Sequence, residues 1–481
     1  MNRSHIQSGI RWTLVTSVLR RLITLILFYF IAKWLTKEDL GVFREYSLIL
    51  ALFTAVFSFS LDTNYIVESN KERTGLVALW QMTIFSSAAG FILLSICSGV
   101  LGIIYKSAML GNLFRFTSVF LIIELVRRTL RAIATKRLQF KEISLAETYN
   151  VVFYSIVSFI ALYFYRSLWL YVIIFYLGNT LEMLYLWKLN KEVVREALRK
   201  TFRKSRSKIL SLSVKRYSRF LTQATLVSTI NMFSSNAPIL IMGMIFNPTY
   251  MGLYFFASQL IGVPIGVFSA AINQVFFPVF AGKKDSEISN IAFRFTRLVG
   301  FAGLPLLLFF SFLTQYLVLL LFGDKWSDAV PLIPIVFVIY GFSLYSSPLG
   351  GIPFLKKKPG WELIWNIASF AVKIGAMLLG LLISFSAAIW SFAVASAVMG
   401  VVFYLMSMQL VQVKLSEALQ KLLISWIPFA IYALLVYAVM RMQTLTAITV
   451  ASIGFAILMF VVNVFSKGKL ISDIKLFTAY K

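Results

Sequence analysis

Long apolar runs alternate with short polar turns along almost the whole chain. A helix needs about 20 apolar residues to span a bilayer, and fourteen runs of that order can be traced. The gaps between them leave no room for a folded soluble domain. The pattern therefore predicts an all-α polytopic membrane protein with about 14 transmembrane helices. The expected spans are 12–34, 41–62, 76–104, 112–134, 143–165, 168–188, 217–246, 250–277, 289–322, 328–352, 361–383, 385–411, 419–440 and 444–466.

The composition agrees with this class. Hydrophobic residues make up 59% of the 481 residues and charged residues only 14%, whereas soluble globular proteins are far more polar. The chain has one cysteine, Cys97, and one histidine, His5. These exclude an internal disulfide, a His/Cys metal cluster and a histidine-based catalytic triad. We therefore expect neither a metal nor a cofactor.

The net charge of +27 comes from 46 Lys and Arg against 19 Asp and Glu. When the N-terminus is placed inside and the spans alternate, the inner loops and helix ends hold 35 of these basic residues and the outer ones 8. Basic residues favour the cytoplasmic side of membrane proteins. The charge thus predicts a multi-pass protein with both termini in the cytoplasm. The membrane topology thus explains most of the positive net charge, so nucleic acid is not an expected partner.

The longest inner segment, residues 188–220, is basic and has apolar positions at helical spacing. This pattern is typical of an amphipathic helix on the anionic inner leaflet, although a solvated basic linker would show similar composition. The turns LTKEDLGVF at 35–43 and FNPTYMGLY at 246–254 share a Gly, an aliphatic and an aromatic residue at an offset of 211. An offset of six spans indicates two parallel halves, a standard transporter architecture. The expected domains are an N-terminal six-helix lobe (1–190), a cytoplasmic basic amphipathic linker (191–216), a C-terminal six-helix lobe (217–412), and two additional helices with a cytoplasmic tail (413–481).

Two arginines lie inside the first predicted span. An arginine near the bilayer centre costs about 2.5–3.5 kcal/mol on insertion scales, yet Arg20 and Arg21 occur side by side, and Thr24 follows on the face of Arg20. Both arginines could snorkel to the inner headgroups. That would leave only eleven residues, from Leu22, before Lys33, which is too short a span, so the pair favours a polar cavity.

The fourth span repeats this pattern. Glu124, Arg127, Arg128 and Arg131 share one helical face. Glu124 can pair with one arginine, and the others are expected to remain unmatched. An anchor at the inner leaflet would explain Arg131, but it explains the deeper Arg127 and Arg128 less well. Lys373 lies in mid-span with no charged residue near it in the sequence.

Other polar residues inside the spans extend this picture. An intramembrane ionisable residue indicates a functional site, although each could instead form a helix–helix hydrogen bond. Together they predict a hydrophilic, net positive cavity that opens to the cytoplasm and accepts an anion with polar groups. The cationic candidates are Arg20, Arg21, Arg127, Arg128, Arg131 and Lys373; the polar ones are Thr24, Asn150, Arg219, Gln223, Asn231, Gln259 and Asn273; and Glu124, Glu147 and Glu182 are candidates for carrying a coupling ion.

Several segments resemble a known family. They are LFGDKWSDAVPLIPI at 321–335 and NPTYMGLYFFASQLIGVPIGVFSAAINQVFFPVFAGKK at 247–284, with LTKEDLGVF and with KRLQFKEIS at 136–144. On these motifs the chain resembles the polysaccharide transporter, or Wzx-type O-antigen flippase, branch of the multidrug/oligosaccharidyl-lipid/polysaccharide exporter superfamily. The resemblance runs through both halves. It implies two six-helix lobes in a V, plus two peripheral C-terminal helices.

The resemblance also implies a function. Members of the family move a polyprenyl-diphosphate-linked oligosaccharide from the inner to the outer leaflet of the prokaryotic cell (inner) membrane, by alternating access and without making or breaking a bond. The implied partners are this lipid-linked substrate, membrane lipids and the polysaccharide polymerase machinery. Guanidinium groups suit a diphosphate. The chain departs from the family at Asn236, Ala237 and Pro238, where related sequences often carry a charged residue, which weakens ion coupling through that helix.

Other functions stay open at this point. A cation-coupled multidrug exporter of the same superfamily usually takes organic cations, which a cavity with many arginines disfavours. A membrane polysaccharide polymerase usually has a large outer loop, whereas the outer loops here are short. A glycosyltransferase would need a nucleotide-sugar domain, and the acidic residues Asp285 and Glu287 lie in a short loop without one. A scaffold for lipopolysaccharide assembly would not need a charged interior.

Overall fold

The computed structural model describes residues 3–59, 61–67, 72–203, 239–280, 283–356, 359–440, 442 and 444–465, with four isolated residues between 229 and 236. These ranges are helical and contain no strand. Nine helices in the described part are long and apolar enough to cross a membrane, or ten when one bent pair counts as a single span. The predicted all-α polytopic membrane class is thus confirmed. The chain divides into two compact units, residues 1–252 and 253–481.

The first unit follows the first six predicted spans closely. The fourth of these is bent, because the helices on either side of Ser118 meet at 56°. The helices are α1 (Arg3–Trp34), α2 (Lys37–Ser58), α3 (Leu61–Val67), α4 (Glu72–Ile104), α5 (Ala108–Thr117), α6 (Val119–Lys136), α7 (Phe140–Tyr165), α8 (Leu168–Leu189) and α9 (Lys191–Arg203).

The two turns that suggested an internal repeat contact each other. A Cβ atom added to Gly41 on α2 would lie 1.7 Å from the carbonyl oxygen of Pro248, and one added to Gly252 would lie 1.8 Å from that of Lys37. Gly41 and Gly252 are equivalent at the offset of 211, and so are Lys37 and Pro248. The contact is therefore reciprocal. Each glycine, lacking a side chain, allows the backbone of the other turn to approach.

The apolar face of α9 is covered by protein. Val194 and Ala197 are buried in one core cluster with Trp80 of α4 and with Leu130 and Ile133 of α6. The sequence suggested that this face would meet the inner leaflet. Within its described residues, α9 instead docks these positions onto the helix bundle. The remainder of the basic segment, residues 204–220, lies outside the described part.

The second unit is also helical. Its predicted span at 328–352 is broken into short pieces, because prolines and glycines interrupt the helical hydrogen bonds there. The predicted seventh span, 217–246, falls mostly outside the described residues. The helices are α10 (Pro248–Phe280, which begins in the first unit), α11 (Asp285–Leu298), α12 (Leu304–Phe322), α13 (Leu332–Gly341), α14 (Ser343–Ser346), α15 (Ile352–Leu355), α16 (Pro359–Leu381), α17 (Phe385–Leu410), α18 (Leu415–Val439) and α19 (Thr444–Phe465).

The last two helices form a core of their own with α12. Tyr432 and Val436 of α18 are buried with Ala447 and Ala451 of α19 against Phe312. Residues 239–252 group with the N-terminal helices, whereas the sequence placed the start of the C-terminal lobe at 217. The four-part division of the chain stays a prediction.

Candidate functional site

A cavity of about 540 Å³ lies within the first unit. Helices α1, α2, α6, α7 and α8 supply its walls, with Met232 at one side. Ionised side chains are unusually dense for a membrane interior, where they mark functional sites by default. The charged residues that line it are Arg20, Glu124, Arg127, Arg128, Arg131, Glu147 and Glu182, and the polar and aromatic ones include Ser47, Thr54, Asn150, Tyr154, Phe175, Tyr176 and Asn179.

The face of α6 supplies three of the four arginines. Arg127, Arg128 and Arg131 follow Glu124 at spacings of three, four and seven residues, which places them along one side of the helix. Arg127 forms an ion pair with Glu124, with Nη2 and Oε1 2.5 Å apart. This is the local pairing that the sequence suggested.

Glu182 on α8 is the central acceptor of the site. Its side chain is only 1% exposed, and it accepts hydrogen bonds from Nη1 of Arg127 at 2.9 Å and from Nε of Arg131 at 2.6 Å, with Nη2 of Arg131 also 2.5 Å away. Nδ2 of Asn150 donates a third hydrogen bond to it, at 2.9 Å. A carboxylate this deeply buried is stabilised only when such partners compensate its lost hydration.

Glu147 on α7 connects the first helix to this centre. Its two oxygens lie 2.8 Å from Nη2 of Arg20 and 3.0 Å from Nη2 of Arg131. Arg20 also donates to Thr148 Oγ1 at 3.2 Å. The six residues Arg20, Glu147, Arg131, Glu182, Arg127 and Glu124 therefore form a continuous row across four helices, here called the ionic chain.

Arg128 lies outside the ionic chain. It binds Asp62 of α3 through Nε at 3.2 Å and Nη2 at 2.7 Å. Its side chain is 35% exposed, close to the 33% of Arg131, whereas those of Arg20 and Arg127 are 14% and 13% exposed. Arg128 and Arg131 are thus the two cavity arginines that an entering ligand meets most easily.

The expectation that all but one of the α6 arginines would be unmatched is wrong. Asp62 of α3 pairs with Arg128, and Glu147 of α7 and Glu182 of α8 both pair with Arg131. Glu147 also pairs with Arg20 of α1. Four arginines and three glutamates line the cavity, so its formal charge among described residues is about +1. The cavity is therefore more nearly balanced than the arginines alone predicted.

The remaining predicted residues are distributed over the chain. Thr24 donates to the carbonyl of Arg20 at 2.8 Å and lies 3.4 Å from the hydroxyl of Tyr154. Arg21 lies on α1 outside the cavity lining, and Lys373 and Gln259 belong to the second unit on α16 and α10. The residues that lie outside the described part, in backbone or in side chain, are Arg219, Gln223, Asn231 and Asn273.

An aromatic wall completes the cavity, and sequence reasoning did not identify it. Tyr154, Phe175 and Tyr176 line it, and Tyr176 is stacked on Phe120 with ring centroids 4.3 Å apart. Aromatics are so abundant in this chain, at 16% of residues, that no local signal separates these three from those in the core. Asn179, three residues before Glu182 on α8, is a lining residue that this spacing could have indicated.

Comparison with known proteins assigns the family. The model of a family described as "Polysaccharide biosynthesis protein" matches residues 30–331. The chain belongs to this family. The match includes α2 to α9 and therefore most of the cavity, so the resemblance noted on the sequence motifs is confirmed.

Curated relatives have low sequence identity to this chain, but the similarity covers most of its length. The chain is 20% identical to the teichuronic acid biosynthesis protein TuaB of Bacillus subtilis, over 75% of this chain and 73% of that protein. It is 21% identical to the lipopolysaccharide biosynthesis protein WzxC of Escherichia coli, over 78% and 74% of the two chains. Both relatives are named for the biosynthesis of a glycan-containing polymer, teichuronic acid in one case and lipopolysaccharide in the other.

Solved structures share the fold. The lipid II flippase MurJ, in an inward closed conformation, superposes with a TM-score of 0.69 and 13% identity, covering 95% of this chain and 99% of that one. An inward-facing multidrug resistance MATE family transporter of the MOP superfamily has a TM-score of 0.59 and 14% identity, covering 82% and 94%. The chain thus shares its fold with a lipid II flippase and with a multidrug transporter.

Proposed function

We propose that the protein is a flippase that moves a polyprenyl-diphosphate-linked oligosaccharide repeat unit from the inner to the outer leaflet, for the synthesis of a surface polysaccharide. The observation that carries the proposal is the arginine-lined cavity in the first unit. The polysaccharide biosynthesis family and the flippase-like fold support it. The prokaryotic inner membrane, with both chain termini in the cytoplasm, is the location that this function and the charge distribution favour.

The diphosphate would bind at Arg128 and Arg131. These two arginines are three residues apart on α6, so they are neighbours on the helix surface, and they are the most exposed of the cavity arginines. A guanidinium group has five N–H donors in a planar fork. Arg128 donates to Asp62 through Nε and Nη2. Its Nη1 group takes no part in that pair and could donate to a phosphate oxygen.

The rest of the cavity suits the first sugars of the substrate. A volume of about 540 Å³ is within the usual range for a ligand pocket and is enough for the charged headgroup, while the polyprenyl tail stays in the lipid. Tyr154 and Tyr176 offer ring faces for stacking on sugars. An organic cation would instead meet a lining with four guanidinium groups and three carboxylates, all three already paired with arginines, which is why we do not favour a multidrug exporter.

Ion coupling would follow from competition for the arginines. A diphosphate bound to Arg131 would compete for the N–H groups that contact Glu147 and Glu182. A carboxylate that loses its arginine partner in a poorly hydrated cavity binds a proton more readily. Substrate entry and proton uptake would then occur together, with Glu124, Glu147 and Glu182 as the candidate carriers.

Charge reversal at Arg128 tests the proposal. We expect Arg128→Glu to slow transport by about tenfold or more, since a hydrogen bond to a charged group contributes about 1.5–3 kcal/mol, and Arg128→Lys to keep part of the activity. The measurement uses proteoliposomes that carry a polyprenyl-diphosphate oligosaccharide. The transported fraction is the share accessible to a membrane-impermeant glycosidase.

The matched control is Arg115→Glu, at an exposed arginine of α5 that does not line the cavity. It should transport like the wild type. Thermal unfolding of each variant separates a lost binding group from a lost fold. Wild-type transport by a folded Arg128→Glu protein would contradict the assignment.

A further inference from the structure

Glu45 is a buried carboxylate that the cavity does not use. It lies two turns from the start of α2, and its exposure is 0%. Among the described residues, neither of its oxygens has a hydrogen-bond partner. An ionised carboxylate in an apolar environment is very unfavourable without a partner, and such a group becomes neutral by binding a proton.

The surroundings of Glu45 offer little to stabilise a charge. A Cβ atom added to Gly243, in the helical segment 239–245, would lie 2.8 Å from Oε1 of Glu45 and 3.0 Å from Cε1 of Tyr105. Tyr105, at the end of α4, is itself 1% exposed. The next residue, Lys106, directs its ammonium group to the carbonyl oxygen of Ile245, 3.4 Å away. The phenol of Tyr105 is thus the titratable group that packs beside Glu45 among the described residues.

The ionic chain cannot neutralise Glu45 either. Successive residues of a helix are turned by about 100° around its axis. The cavity-lining residues Ser47 and Thr54 are therefore about 200° and about 180° around α2 from Glu45, so Glu45 points away from the cavity. Helices α6 and α8 also pack on α2, but their charged groups that line the cavity are paired with one another or with α3 and α7. On α5, Arg115 is exposed.

A proton is the ligand that this site suits. Hard metal cations require several oxygen ligands at once, and among the described residues no group of three or more His, Cys, Asp or Glu side chains is placed to hold a metal ion. One carboxyl group in an apolar contact can hold a proton without further ligands. It releases that proton to water once the contact opens.

We propose that Glu45 is a proton-binding site that is occupied while α2 is packed against residues 239–252 and is emptied when that packing opens. Gly41, one turn earlier on α2, contacts Pro248 of the same segment through the backbone. A separation of the two would therefore admit water to Glu45, and the carboxyl O–H would pass its proton to that water. The ionised carboxylate would oppose the return of α2 to its packing against residues 239–252 until it binds a proton again. A role for this proton release in transport rests on the proposed function, whereas the proton-binding site itself does not.

Infrared spectroscopy tests the site without any transport assay. Reconstituted wild-type protein should show the C=O stretching band of a protonated carboxyl near neutral pH, where an ordinary glutamate, with a pKa of about 4.3, is ionised. Glu45→Gln should remove this band, and Glu45→Asp should shift it. Glu38→Gln, at an exposed position of the same helix, should leave it unchanged. A band equal in the wild type and in Glu45→Gln would overturn the proposal.

The link to transport is tested separately in the proteoliposome assay. We expect the rate of the wild type to change with pH and that of Glu45→Gln to change several-fold less. If Glu45→Gln loses the infrared band but keeps the wild-type pH profile, the link to transport is overturned while the proton site stands. If the wild type moves no lipid-linked oligosaccharide, the proposed function fails, and the infrared result still decides the proton site.

Discussion

Glu182→Ala is expected to destabilise the protein by about 3–5 kcal/mol, the usual cost of removing one member of a buried ion pair. Glu182 is 1% exposed in its side chain and accepts from Arg127, Arg131 and Asn150. The alanine variant leaves Arg127, which is 13% exposed, with Glu124 as its one remaining ion-pair partner in the described part. The denaturation midpoint of purified protein measures the effect.

The control for this variant is Glu417→Ala. Glu417 pairs with Lys421 one turn later, and the two side chains are 48% and 43% exposed. Exposed pairs of this kind contribute about 0–1 kcal/mol, so the midpoint should hardly move. Equal stability of the two alanine variants would mean that the ionic chain does not hold α6, α7 and α8 together.

Gly41→Ala is the second change with a large expected effect. In a helix, replacing Gly by Ala normally stabilises by about 0.5–1 kcal/mol. Here the added Cβ would lie 1.7 Å from the carbonyl oxygen of Pro248, a backbone atom that no side-chain rotation can move. We therefore expect the opposite sign, with a loss of about 3 kcal/mol or more, at or above the upper end of overpacking costs. Unfolding of purified protein again provides the measurement.

Two further glycines give this prediction its controls. Gly252→Ala should be as harmful as Gly41→Ala, because the contact is reciprocal and its Cβ would lie 1.8 Å from the carbonyl of Lys37. Gly99→Ala, on α4, meets nothing within 4 Å and should be neutral or slightly stabilising. If Gly41→Ala behaved like Gly99→Ala, the two repeated turns would not be in contact.

The helices of this protein could be predicted because hydropathy is a local property. Each span is a contiguous run of apolar residues, so its position can be found without knowing what it packs against. The pairing of Glu124 with Arg127 was also predictable, since residues three apart on a helix are neighbours. The break in the span at 328–352 could have been expected from Pro348, Gly350 and Gly351.

The partners of the arginines could not be predicted in the same way. Asp62, Glu147 and Glu182 lie 16 to 127 residues along the chain from the arginines they pair with, and no periodicity shows which helix faces which. The sequence therefore overestimated the positive charge of the cavity. Glu182 had been a candidate for ion coupling, and the structure places it at the centre of the ionic chain.

Burial alone distinguishes Glu45 from other glutamates. In the sequence, Glu38 and Glu45 both lie near the start of the same helix, seven residues apart. Glu38 is exposed, whereas Glu45 is covered by Gly243 and Tyr105, which follow it by 198 and 60 residues. A contact between such distant segments is a property of the tertiary packing. The same holds for α9, whose apolar face meets the helix bundle.

The central claim, that this protein moves a lipid-linked oligosaccharide across the membrane, is tested most directly in a strain that lacks its gene. The lipids of that strain are extracted, and any polyprenyl-linked glycan that accumulates is identified and assigned to a leaflet. We predict a complete repeat unit on polyprenyl diphosphate, trapped in the inner leaflet, together with loss of the surface polymer. Unpolymerised single repeats on the cell surface, or no lipid-linked accumulation together with new sensitivity to cationic drugs, would contradict it.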